Sequence, residues 1–79
     1  MIDVKVYGPG CKRCDTTARM LRDTAAELGL EANVQKVTDY AQIAMAGVVS
    51  TPGVAINGTL VHSGGLPDTA AVRDWLLTA

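Results

Sequence analysis

Cys11-Lys12-Arg13-Cys14 is the stretch of this sequence best equipped for chemistry. Two thiols three positions apart are neighbours on a helix. Their sulfurs can therefore close a bond without the helix unwinding. The pair falls just after a strand-like segment and a Gly8-Pro9-Gly10 break, where a helix begins. The first turn of a helix carries unpaired N–H groups and the positive end of the dipole, and both favour thiolate over thiol. Such sites lower a cysteine pKa from ~8.5 to ~3.5–7.5. Lys12 and Arg13 add positive charge beside the sulfurs. On this reading Cys11, at the exposed helix start, attacks a substrate disulfide. Cys14, one turn in, resolves the mixed disulfide.

The same pair has a metal reading. A closed zinc site needs four ligands, and the chain offers two Cys, one His and carboxylates. A Cu(I) carrier needs only two thiolates and stays open as the alternative. Heavy-metal-associated domains also place such a pair between a first strand and a first helix. They end in a strand, whereas this chain is expected to end in a helix around Trp75. A third possibility is a binding module with an unreactive pair.

The elements that must position the cysteines follow from periodicity. Ile2, Val4 and Val6 alternate with Asp3 and Lys5 over residues 2–7, the period of a strand. From Lys12 to Leu28 there is no Gly or Pro, and Ala18, Leu21, Ala25 and Leu28 recur at helical spacing. Gly29 stands where a left-handed C-terminal cap belongs. Residues 32–37 read as a second strand. Asp39, with Gln42 three residues on, caps a short helix ending near Ala46-Gly47. A loop over 48–53 holds Pro52. Val54-Ala55-Ile56 and Leu60-Val61-His62 flank Asn57-Gly58, a hairpin turn. Asp68 then caps a last helix with Val72, Trp75 and Leu76 as its buried stripe. The expected fold is an α/β domain, β-α-β-α-β-β-α, with one mixed four-stranded sheet flanked by helices. It occupies residues 1–79 as a single domain.

Composition narrows the partners. Seven basic against eight acidic residues give a net charge of −1, without the basic footprint of a nucleic-acid binder. No apolar run approaches the ~20 residues of a membrane-spanning helix. Asp3 and Lys5 interrupt the first apolar stretch, which therefore lacks the core of a signal peptide. A cytoplasmic monomer is expected. In that reducing compartment a close cysteine pair points to redox or metal chemistry rather than a permanent crosslink.

Read together, Cys11/Cys14 between strand and helix, Thr51-Pro52 directly before a strand, and a hairpin ending in Gly64-Gly65 resemble the thioredoxin superfamily. The stretch from Thr51 to Gly58, followed by Gly64-Gly65-Leu66-Pro67-Asp68, is similar to the second half of a glutaredoxin. The length and the Gly-Pro-Gly-Cys entry are similar to small bacterial and archaeal redox-active disulfide proteins. The resemblance covers essentially the whole chain. It implies a thiol–disulfide oxidoreductase acting on protein disulfides, with no cofactor, the cysteines being the redox centre. It implies a cis bond at Pro52, with Thr51 turned toward an extended substrate. It implies close approach of substrate or glutathione at Gly64 and Gly65.

The lysine that glutaredoxins place shortly before their motif is not matched, since Lys5 lies too far upstream. A thioredoxin-reductase-type flavoenzyme is therefore expected as electron donor ahead of glutathione. Asp68 falls where glutaredoxins use an acidic residue for glutathione, and is read here as a helix cap. His62, the single histidine, is read as a surface residue at the sheet edge. Tyr7 is read as a half-buried strand residue.

Overall fold

The computed structural model describes residues 1–10 and 12–79. Among these the chain runs β1 (Ile2–Tyr7), α1 (Lys12–Glu27), β2 (Ala32–Val37), α2 (Tyr40–Met45), β3 (Gly53–Ile56), β4 (Thr59–Ser63) and α3 (Thr69–Leu77). The sheet has four strands in the order β2-β1-β3-β4. β1 pairs parallel with β2, from Ile2↔Ala32 to Tyr7↔Val37. A parallel pair needs a long crossover, and α1 provides it. β1 also pairs antiparallel with β3, and β3 antiparallel with β4. The mixed α/β sheet expected from the sequence is the one found.

Alternation in the two central strands fixes the core. Val4 lies opposite Ile56, and Val6 opposite Val54. These four share one face of the sheet and pack with Ala18, Leu21 and Ala25 of α1 and Val72 and Leu76 of α3. Trp75, read as part of the buried α3 stripe, is only half-buried and lies against the margin of this cluster. The other face carries Lys5 and Tyr7 beside Ala55 and Gly53. It is covered more thinly, by α2 with Ile43 and by Val48.

The helix ends follow local chemistry. α1 closes in a double turn in which the Gly29 N–H donates to the Ala26 carbonyl (3.1 Å) and the Leu30 N–H to the Ala25 carbonyl (2.9 Å). Gly29 has φ +69, a conformation that only a residue without Cβ takes at little cost. Asp39 and Asp68 cap α2 and α3, accepting from Ala41 N (3.4 Å) and Ala71 N (2.8 Å).

One irregularity shapes the hairpin. Val54 pairs with His62 but Ala55 with Leu60, leaving Val61 as an extra residue in β4. A bulge of this kind reverses which side chains face the core. It turns His62 to the α3 side of the sheet. His62, expected on the surface, is instead half-buried, with its ring 5.6 Å from that of Trp75.

Candidate active site

Cys14 enters the first turn of α1 and is 1% exposed. Its sulfur lies against Gly8, the residue that follows β1. A Cβ on Gly8 would overlap Cys14 Sγ, would stand 3.2 Å from Cys14 Cβ, and would come within 3.7 Å of Thr51 Cβ. The end of β1, the start of α1 and the loop before β3 therefore meet at Gly8. The Gly8 N–H donates to the Val37 carbonyl at 2.9 Å, tying this corner to the end of β2. Cys11, expected as the attacking thiol, lies outside the described residues.

The charged residues of the first turn face solvent. Lys12 and Arg13 are both exposed. The Arg13 carbonyl accepts the hydroxyl of buried Thr17 at 2.7 Å, which satisfies that hydroxyl inside the core. Asp15 pairs with Lys36 Nζ at 2.7 Å. The hydrogen bond from Lys36 and then its charge hold the Asp15 carboxyl below its ordinary value of 3.8. This pair joins the first turn of α1 to β2, and a carboxylate there also suits the positive helix end.

On the opposite wall the Thr51–Pro52 peptide is cis, with Pro52 buried and Thr51 half-buried. The end of β4 holds this loop at two points. The Gly64 N–H donates to the Pro52 carbonyl at 2.9 Å, and Ser63 Oγ donates to the Ser50 carbonyl at 3.1 Å. Gly64 is needed twice over. Its φ is +88, and a Cβ there would stand 3.0 Å from Ser50 Cβ. The close approach at Gly64 is thus made by the protein's own loop. The Gly65 carbonyl faces His62 Nε2 at 2.9 Å. Asp68, as expected, serves as the α3 cap.

The structure thus brings Cys14, Gly8 and Thr51 together, with Pro52, Gly64 and Gly65 behind Thr51. Lys12 and Arg13 stand outside on the helix start. The roles of Gly8, Ser50, Ser63 and His62 escaped the sequence reading. For Gly8 a signal existed: a glycine directly after the strand whose end faces the cysteine helix. Among the described residues no group of three or more His, Cys, Asp or Glu is placed to hold a metal ion. Among them, too, no helix is long and apolar enough to cross a membrane. The helix expected around Trp75 is found as α3.

Comparison with known proteins bears on the fold as a whole. A family model described as a thioredoxin domain matches residues 2–77. A protein named thioredoxin from Methanocaldococcus jannaschii is 34% identical over 76 residues, covering 96% of this chain and 87% of that protein. Another of the same name from Methanothermobacter thermautotrophicus is 35% identical over 60 residues, covering 76% of this chain and 78% of that protein.

Proposed function

The chain belongs to the thioredoxin family and is a thiol–disulfide oxidoreductase, and from that premise we propose that Cys11 is its nucleophile and Cys14 its resolving thiol. The Cys11 thiolate attacks one sulfur of a protein disulfide. A Cys11–substrate bond forms and the other substrate sulfur leaves as a thiolate, which takes up a proton. Cys14 then gives up its proton and attacks the Cys11 sulfur. The second substrate thiol departs, and two electrons have passed from the cysteine pair to the substrate.

The observation that carries this reading is the burial of Cys14, with its Sγ against Gly8 and Thr51 close to the same glycine. A resolving thiol needs to be kept from outside disulfides and close to its partner, and Cys11 precedes it by three residues. Lys12 and Arg13, exposed at the helix start, favour the thiolate at Cys11 by their charge. Thr51 offers its backbone edge to an extended substrate as an added strand would. Gly64 holds that edge in place through its N–H, and with Gly65 it leaves the adjoining surface low. A thioredoxin-reductase-type flavoenzyme returns the electrons, with glutathione the second choice.

Insulin reduction driven by dithiothreitol tests the roles. Cys11→Ser abolishes turnover above the dithiothreitol background, and Cys14→Ser accumulates a mixed disulfide resolved only by added thiol. Full activity in Cys11→Ser would remove the assignment.

A further inference from the structure

We propose that His62 is a positioning residue for disulfide substrates. Its ring clamps the turn that holds the Thr51–Pro52 loop. The proposal rests on the reading of that loop as the substrate edge. A carbonyl oxygen can only accept, so the 2.9 Å contact between His62 Nε2 and the Gly65 carbonyl requires an Nε2–H donor. The residue before Gly65 is Gly64, whose N–H donates to the Pro52 carbonyl. One further back, Ser63 Oγ donates to the Ser50 carbonyl. Four consecutive residues of the β4 end thus form a brace, with His62 anchoring one end and the loop held at the other.

Three features make the anchor specific. Both glycines of the turn have positive φ, +88 at Gly64 and +70 at Gly65. Such a segment has wide conformational freedom unless a side chain fixes it. His62 is the side chain that reaches back to it. Trp75, with its ring centroid 5.6 Å away and tilted by 44°, supports the imidazole from α3. The Val61 bulge provides the orientation, because without it Val61 and not His62 would lie opposite Val54. The bulge, the histidine and the tryptophan thus serve one geometric end. They fix the Gly65 end of a turn whose Gly64 end is held by its own N–H.

The consequence falls on substrate binding rather than on sulfur chemistry, because His62 acts on the Thr51–Pro52 side of the site. Steady-state reduction of a synthetic disulfide-bridged peptide, with dithiothreitol as terminal reductant, reads KM and kcat separately. Amide exchange reads the brace directly. His62→Phe keeps an aromatic ring for Trp75 but loses the donor. It raises KM by about five- to tenfold, the size of one net hydrogen bond, with kcat within twofold. It also speeds exchange of the Gly64 amide about tenfold. The Asn57 amide, bonded to the Asp3 carbonyl at the other end of the hairpin, keeps its native rate. His62→Gln, which retains an N–H donor, restores KM and Gly64 exchange to within twofold of native.

Native KM and native Gly64 exchange in His62→Phe overturn the proposal. So does a His62→Gln variant no better than His62→Phe, or a Gly64 amide that quickens only in step with Asn57. Cys11→Ser retaining activity would sink the dithiol reading and leave the Gly64 exchange result standing. An active native protein indifferent to His62→Phe sinks this inference alone.

Discussion

At the scale of single residues, contact decides more than residue type. Gly8 is the clearest case. Its cost of substitution lies not in its backbone angles but in what it touches. A methyl group there would occupy the space of the Cys14 sulfur. Cys14 is fixed by the first turn of α1 and Gly8 by its bond to the Val37 carbonyl at 2.9 Å, so neither yields easily. Gly8→Ala therefore destabilises the reduced protein by about 1–3 kcal/mol, the range for overpacking a filled interior. The penalty shrinks by half or more in a Cys14→Ala background, where the new methyl replaces the lost sulfur. Urea unfolding of the four proteins under reducing conditions gives the coupling as a double-mutant cycle. Equal penalties in the two backgrounds would place the strain elsewhere. The sequence made the cysteines and Thr51-Pro52 visible because their types carry their meaning. Gly8 shows in the sequence only as part of a turn, because its partner lies on another element.

At the scale of elements, local chemistry was legible wherever start and stop signals sat on the chain itself. The strand at 2–7, the α1 cap at Gly29, the strand at 32–37, the Asn57-Gly58 turn and both aspartate caps follow from neighbouring residues. The Val61 bulge did not, since a bulge is a mismatch between two strands and neither strand shows it alone. That single shift is what carries His62 from the solvent side of β4 to the α3 side. The caps also differ in geometry, and the difference is measurable. Asp68 accepts from Ala71 N at 2.8 Å, whereas Asp39 accepts from Ala41 N at 3.4 Å. Asp68→Ala costs about 1 kcal/mol, typical of a lost N-cap, and Asp39→Ala less than half of that, as read by urea midpoints. The α1–β2 link adds a pH signature. Asp15 is held below its ordinary value of 3.8 by Lys36. A carboxylate depressed in the folded state stabilises it above the unfolded value, and that contribution fades as pH falls through the lower folded value. Lys36→Met therefore lowers the urea midpoint at neutral pH and flattens the loss of stability on acidification below 3.8. Parallel acid limbs for the two proteins would show the pair to be idle.

At the scale of the whole molecule, the two sheet faces are unequally supported, and stability follows the better one. Sequence periodicity identified Val4, Val6, Leu21, Val72 and Leu76 as apolar stripes. Only the strand order β2-β1-β3-β4 shows how they meet, with β1 and β3 central and both helix stripes on one side. That order rests on pairing β1 with β3, which lie far apart in the chain, and no local pattern encodes it. The site inherits its geometry from this arrangement, because the central strands set Gly8 at the end of one and Pro52 at the entry to the other. Leu21 lies within that packed layer and is 0% exposed. Burying a leucine in a closely packed interior and then truncating it costs about 2–5 kcal/mol, because the layer cannot collapse to fill the gap. A domain of 79 residues has a total stability of only about 4–12 kcal/mol. Leu21→Ala thus lowers the urea midpoint by about a sixth or more while leaving the slope of the transition unchanged, since the surface exposed on unfolding scarcely alters. Leu77→Ala, one residue beyond Leu76 but 60% exposed, stays within about 0.5 kcal/mol of native. If the two substitutions cost the same, the core is not where the sheet order puts it. The Cys14–Thr51 corner would then owe its geometry to local loops instead of to the packed face.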